Sequence, residues 1–414
     1  MDFREYMKNR VVFLDGGMGT MLLEQGLAPG ECPEALNLRA PEVVTQVQRA
    51  YVEAGSNVVY TNTFGANRLK LAHAGISVES AIDAAVRIAR QAAGGNAYVA
   101  LDIGPIGELL EPMGTLTFEE AYALFSQQVT QGVRSGAQLI VIESMADLYE
   151  VKAALLAAKE NSTLPVLCTM TFEANMRTYT GCHVSSMAAT LESLGADAIG
   201  INCSLGPVQL LPVARQLVAD TNLPLVAKPN AGLPVVQDGV TSYDINSSQF
   251  AQTMAEFVAA GVSLVGGCCG TNPGYIALTA QAVQGQTPPA RPPVDINRRI
   301  ATPSKLVECG SQTQLGRVGP CSEEETIDAA TELLYDGAEA AVLALPAGAD
   351  EAASLVSAVQ ACANLPLIFE AENPAALEAA LRRYNGRPGV TAATAADPAL
   401  AAIAARYGAA VIEA

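Results

Sequence analysis

Three cysteines carry the most distinctive chemistry in this sequence. Cys203 stands in Gly200-Ile201-Asn202-Cys203-Ser204, and Cys268 and Cys269 stand side by side in Gly266-Gly267-Cys268-Cys269-Gly270. Three thiolates suit a zinc ion, which takes cysteine sulfur at about 2.3 Å in a tetrahedron. Adjacent cysteines can ligate one ion only where the backbone bends sharply, and the flanking glycines permit that bend. Three thiolates leave the ion formally negative and therefore poor at splitting water. A substrate thiol in the fourth position would instead lose its proton at neutral pH and keep electron density on sulfur. Two other readings stand beside this one: buried structural cysteines, or a vicinal disulfide between Cys268 and Cys269. The other six of the nine cysteines read as ordinary packing.

A recurring phrase supplies the elements that would position those thiols. A helical stretch ends in a small Gly-containing turn, and a short apolar run follows at once, as in Ala54-Gly55-Ser56 before Asn57-Val58-Val59-Tyr60. Glycine just past a helix end takes the left-handed cap, and the run behind it reads as a buried strand. Eight such strands fall at about 11–15, 57–63, 98–104, 139–143, 166–172, 198–203, 225–230 and 264–268. Between them lie helical runs; Thr117 with Glu120, for example, forms a capping box that opens one. The pattern predicts an α/β fold, a (β/α)8 TIM barrel, with a doubly wound open sheet as the alternative. In a barrel the strand ends would bring together Asp15-Gly16-Gly17, Thr61-Asn62-Thr63-Phe64, Asp102, Glu143, Cys203, Lys228 to Asn230, and Cys268-Cys269. The three cysteines would then meet at one mouth.

The barrel is expected over residues 1–285. Pro288, Pro289, Pro292, Pro293 and Pro303 make residues 286–304 a semi-rigid linker. An alanine-rich tail, 305–414, still alternates helix and strand. Ser322 with Glu325 caps a helix there, and strands are expected at Ala340–Leu345, Leu365–Phe369, near Gly389–Ala392 and at Ala409–Ile412. It reads as a small α/β domain, too short for a second full barrel.

Composition narrows the function class. The chain has 24 Lys+Arg against 42 Asp+Glu, a net charge of −18. That sign argues against nucleic acid, whose affinity comes from Lys and Arg displacing counterions, and against anionic membranes. No apolar stretch is long enough for a spanning helix, and the charged N-terminal residues do not read as a signal peptide, so a cytoplasmic protein is expected.

Five motifs in order carry a resemblance: Leu14-Asp15-Gly16-Gly17-Met18-Gly19-Thr20, Asn62-Thr63-Phe64-Gly65-Ala66-Asn67, Ile142-Glu143-Ser144, Gly200-Ile201-Asn202-Cys203 and Gly266-Gly267-Cys268-Cys269-Gly270-Thr271. Across about residues 5–285 the chain resembles the homocysteine S-methyltransferase family, above all the homocysteine-binding module of cobalamin-dependent methionine synthases. The resemblance implies a barrel, zinc on Cys203, Cys268 and Cys269, and homocysteine thiolate as fourth ligand. It also implies that Asp15 and Glu143 hold the substrate ammonium, and that backbone amides of Gly16, Gly17 and Met18, with Thr63, take its carboxylate. Asn230 matches a family position near the metal, where it could offer a carbonyl oxygen. Blander readings exist for each: Asp15 as a turn cap, Glu143 as an ion pair with Lys228 or Lys152, and Asn230 as a turn residue.

The methyl donor is not written in these motifs. Cobalamin modules carry Asp-x-His-x-x-Gly, and neither His73 nor His183 stands in that context, so the resemblance points to a separate corrinoid protein as partner. His73 reads as a surface or packing residue and His183 as a loop residue. The stretch from Leu365 to Val390 is similar to part of a methyltetrahydrofolate-binding barrel. Glu370-Ala371 and Thr391-Ala392 depart from that family's pattern, which leaves a shortened remnant suited to docking or dimerisation. Two alternatives are a stand-alone enzyme using S-methylmethionine or a betaine-type donor, and a non-catalytic assembly subunit that retains the barrel.

Overall fold

The structure, a computed structural model, describes residues 2–237, 240–319 and 321–414. It divides into two compact units, one of Met1–Thr180 with Ala196–Pro292 and one of Gly181–Gly195 with Pro293–Ala414.

The first unit is built on strands β1 (Val12–Phe13), β2 (Val58–Tyr60), β3 (Tyr98–Ile103), β4 (Leu139–Met145), β5 (Val166–Met170), β6 (Ala198–Asn202) and β7 (Leu225–Lys228). An antiparallel hairpin, β8 (Pro234–Gln237) with β9 (Val240–Tyr243), comes next, and then β10 (Leu264–Val265). Leaving the hairpin aside, every neighbour pair is parallel and the order is β1-β10-β7-β6-β5-β4-β3-β2. The order follows the chain with no reversal, which excludes the doubly wound sheet. The seam between β1 and β2 is closed by Asn57, whose N–H donates to Phe13 O at 2.6 Å and whose Oδ1 accepts from Phe13 N at 2.9 Å. The result is a nearly closed eight-stranded TIM barrel.

The sequence explains the helices around it. Thr117 and Glu120 form the expected capping box for Phe118–Ser135, which ends on left-handed Gly136, and Val78–Ala93 starts on Ser77 and ends on left-handed Gly94. Inward-facing residues of successive strands fill the barrel, including Val12, Leu14, Tyr60, Ala100, Leu139, Val141, Leu167, Ala198, Val226 and Leu264. Phe3 and Met7 join the same core, and Phe3 stacks edge-on against Tyr98 at the start of β3. The end at which the strands begin is thus plugged, leaving the opposite mouth for chemistry.

In the second unit β11 (Arg299–Ala301), inside the stretch read as linker, pairs antiparallel with β12 (Leu306–Glu308). A five-stranded parallel sheet follows: β13 (Leu315–Val318), β14 (Ala340–Ala344), β15 (Leu367–Glu370), β16 (Gly389–Thr391) and β17 (Ala410–Ile412), in chain order. Ile300 and Val307 of the hairpin pack with Ala340, Val342, Ile368, Ala410 and Ile412. Four sequential βα units and a closing fifth strand are a partial barrel wall, and Ser322 with Glu325 opens its first helix through a capping box. Helix Val184–Ser193 also belongs to this unit. Among the described residues no helix is long and apolar enough to cross a membrane.

Candidate metal and substrate site

The three cysteines do converge. Their sulfurs all lie within 4.8 Å of one another, and Cys203 Sγ is 3.8 Å from Cys269 Sγ. Four sulfurs held at 2.3 Å around zinc would stand about 3.8 Å apart, so the observed spacing is that of one tetrahedral edge. Cys203 and Ser204, just past β6, both adopt left-handed backbone, φ 59° and 53°. Side-chain-bearing residues take that conformation at a cost, met here by bonds from Cys203 N to Lys228 O and from Ser204 Oγ to Phe172 O. On the other wall, a Cβ on Gly267 would sit 2.4 Å from Thr271 Oγ1. That close approach lets Thr271 Oγ1 donate to Cys268 O at 2.7 Å and fold the adjacent cysteines back over the mouth.

The thiols also fit a cation by their charge. Hydrogen bonds from Cys268 and Cys269 draw the Cys203 thiol down to about 3. The bond with Cys203 pushes Cys268 upward and Cys269 up to about 12. One negative charge is thus shared among three sulfurs, and a divalent ion among them would let all three ionise. Asn230 is buried, hydrogen-bonds Cys203, and keeps its Oδ1 without a partner among the described residues.

Asn202 ties the catalytic ends of β4, β5 and β6 together. Its Oδ1 accepts from Ser144 N and from Thr169 Oγ1, and its Nδ2 donates to Ser144 Oγ at 2.7 Å. Ser144 is left-handed at φ 60°, and the β4–β5 register shifts between Ile142 and Met145. That bulge re-aims Glu143.

Beside the sulfurs lies a cluster of charges. Lys228 Nζ donates to Asp15 Oδ1 at 3.0 Å, stands 3.6 Å from Glu143 Oε2 and sits 3.5 Å above the Tyr60 ring. Burial works to lower the Lys228 pKa, but Asp15 and Glu143 outweigh it and hold the ammonium well above its ordinary value. Asp15 Oδ2 accepts from Tyr60 N at 2.7 Å, so this carboxylate also bridges the β1–β2 seam. Burial raises Glu143, and burial with the nearby Glu143 raises Asp102 well above the carboxylate range.

A cavity of about 1020 Å³ opens over this cluster. Of the residues singled out from sequence, Asp15, Gly16, Gly17, Met18, Glu143, Cys203, Cys268 and Cys269 line it. Thr63 and Asn230 lie behind the lining: the Thr63 hydroxyl donates to Asp102 O, and Asn230 backs Cys203. Gly17 N donates to Thr271 Oγ1 at 3.1 Å. His73 is on the outer wall of the cavity, whereas His183 caps helix Val184–Ser193 through Nδ1.

Homology bears on the same residues. The homocysteine S-methyltransferase family model matches residues 12–283. The chain belongs to that family. Among this family's relatives, a methionine synthase from Mycobacterium tuberculosis (strain ATCC 25618 / H37Rv) is 29% identical over 93% of this chain. One from Mycobacterium leprae (strain TN) is 32% identical over 68% of it. The chain spans only 36% and 25% of the lengths of those two proteins. The metallated form of the homocysteine methyltransferase MmuM from Escherichia coli shares the fold, with TM-score 0.58 at 24% identity over 67% of this chain and 98% of that one. Its oxidised form fits equally well, with TM-score 0.58.

Some site residues carry no sequence motif. Lys228 enters the sequence reading as a strand-end residue and an ion-pair partner for Glu143, but not as a partner of Asp15, to which its bond spans 213 positions. Tyr243, on the unanticipated hairpin, hydrogen-bonds Cys269; burial first, then the cysteine charges, push its hydroxyl up to about 12. Cys32 and Glu34, 3.1 Å apart, form another part of the cavity wall. Nothing local in the sequence marks Cys32 or Glu34, whereas Asp238-Gly239 before Tyr243 is a dipeptide that hairpins favour.

Proposed function

We propose that this chain methylates homocysteine on sulfur to give methionine, with zinc held by Cys203, Cys268 and Cys269. The observation that carries the proposal is the three-sulfur cluster, spaced as a tetrahedral edge and open to the cavity. Zinc there would lower the pKa of an incoming thiol, so that its proton leaves to solvent and the sulfur stays as a reactive thiolate. The partnerless Oδ1 of Asn230, whose side chain hydrogen-bonds Cys203, supports a role in offering an oxygen when no substrate is bound.

The protein's own residues bind and aim the substrate. Glu143 and Asp15 offer carboxylates for its ammonium, and the Gly16–Met18 turn offers N–H groups for its carboxylate. Thr63 can join them only by giving up Asp102 O, and Gly17 N only by giving up Thr271 Oγ1, so Gly16 and Met18 carry more of that role. With both ends held, the substrate sulfur attacks a methyl carbon in line with the bond to its carrier. The sulfur–carbon bond forms as the carrier keeps the electron pair of the bond that breaks. Orientation of this kind supplies much of the rate.

A separate methyl-corrinoid protein is the donor we favour. Exposed Phe64, Leu109, Met113, Tyr179 and Leu233 all sit on loops that follow barrel strands, an apolar rim for a protein to seat on. The test is methionine formation by zinc-loaded protein from methylcobalamin, methyltetrahydrofolate and S-methylmethionine, each offered separately. Turnover with methylcobalamin that vanishes in Cys268→Ala supports the proposal. Turnover surviving in that variant without bound metal would end the zinc reading, and preference for S-methylmethionine would end the corrinoid one.

A further inference from the structure

Both carboxylate oxygens of Asp15 already have a protein partner. Its Oδ1 takes Lys228 Nζ and its Oδ2 takes Tyr60 N. Asp102 is the reverse case. It is 6% exposed, lines the same cavity, and its Oδ1 is buried without a hydrogen-bond partner among the described residues. Its backbone is pinned on both sides, N–H to Thr61 Oγ1 at 3.0 Å and carbonyl to Thr63 Oγ1 at 2.7 Å, so the carboxyl is fixed in place.

Glu143 lies on the same wall. Asp102 pairs with Val141 across β3 and β4, and Glu143, re-aimed by the β4 bulge, lines the cavity with it. Glu143 Oε2 stands 3.6 Å from Lys228 Nζ, a longer pairing than the 3.0 Å bond that Asp15 makes. The inner wall therefore sets three carboxyls, Asp15, Asp102 and Glu143, beside the ammonium of Lys228, which pairs with Asp15 and Glu143 and leaves Asp102 Oδ1 without a hydrogen-bond partner among the described residues.

We infer that Asp102 is a further substrate-binding residue, receiving the homocysteine ammonium together with Glu143 and Asp15. The inference rests on the homocysteine reading above. Burial and the neighbouring Glu143 hold the Asp102 carboxyl well above its ordinary pKa, an unfavourable pairing that a cation between them relieves.

The test compares two thiols by calorimetry on zinc-loaded protein: homocysteine, and 4-mercaptobutanoic acid, which lacks only the amino group. Wild type is expected to prefer homocysteine. Asp102→Asn is expected to weaken homocysteine at least tenfold while changing 4-mercaptobutanoic acid less than twofold, which also shows that the variant's site is folded. Unchanged homocysteine affinity, or equal loss of both ligands, would overturn the assignment of Asp102. Should wild type bind neither thiol, the homocysteine reading itself fails and takes this inference with it.

Discussion

Lys228 Nζ and Asp15 Oδ1 form an ion pair at 3.0 Å, with each side chain only 3% exposed. A buried charge that loses its partner is costly, on the order of 3–5 kcal/mol. Lys228→Met should therefore lower unfolding free energy by about that much, because Asp15 and Glu143 lose their shared cation. Urea unfolding measures it; an unchanged midpoint would show that the pair contributes nothing.

Glu150 gives the chain a pH dependence. It is buried, accepts from Ile106 N at 2.7 Å, and burial raises its carboxyl to about 7, with Asp147 adding and Lys70 opposing. A raised folded pKa contributes stability in full below the ordinary 4.5 and loses it as pH rises through 7. Glu150→Gln keeps an acceptor for Ile106 and removes that slope. The variant should gain on the order of 3 kcal/mol over wild type at pH 8 and almost nothing at pH 4. Equal gains at both pH values would contradict the account.

The barrel seam depends on Asn57. Truncation to alanine leaves Phe13 N without its side-chain acceptor. The expected cost is about 1–3 kcal/mol. Denaturant titration should show a lower midpoint at constant m-value; no loss would mean that the bonds from Asn57 N to Phe13 O and from Tyr60 N to Asp15 Oδ2 suffice to close β1 against β2.

Gly267 decides whether the paired cysteines can share an ion. A Cβ there would stand 2.4 Å from Thr271 Oγ1, so Gly267→Ala must displace Thr271 or the loop. Zinc affinity, read by competition with a chelator, should fall at least tenfold while far-UV circular dichroism stays that of the barrel. Full zinc affinity would show that the loop has other ways to fold.

The barrel was legible because most strands are announced locally, by a left-handed glycine and then a β-rich run, and because strand ends sort the reactive residues onto one rim. Asn202-Cys203 and Cys268-Cys269 fall at such ends. The hairpin β8–β9 lies outside the helix–glycine–strand pattern, although Asp238-Gly239 between its two short runs is a dipeptide that hairpins favour, and Tyr243 came with it. The Asp15–Lys228 pair and the free oxygen of Asp102 depend on which residues face each other across β1, β3, β4 and β7. Composition does not carry that information. In the tail, four strands were readable from their apolar runs, whereas β13 contains Gly316 and Arg317 and gave no such signal.

The central claim is that the three thiols hold zinc and leave it open to a substrate thiol. Zinc K-edge X-ray absorption on the purified protein, with and without homocysteine, tests it most directly. The account predicts three sulfur ligands plus one lighter atom without homocysteine, and four sulfurs at about 2.3 Å with it. A sulfur count that does not change on adding homocysteine, or a protein that binds no stoichiometric zinc, would contradict it.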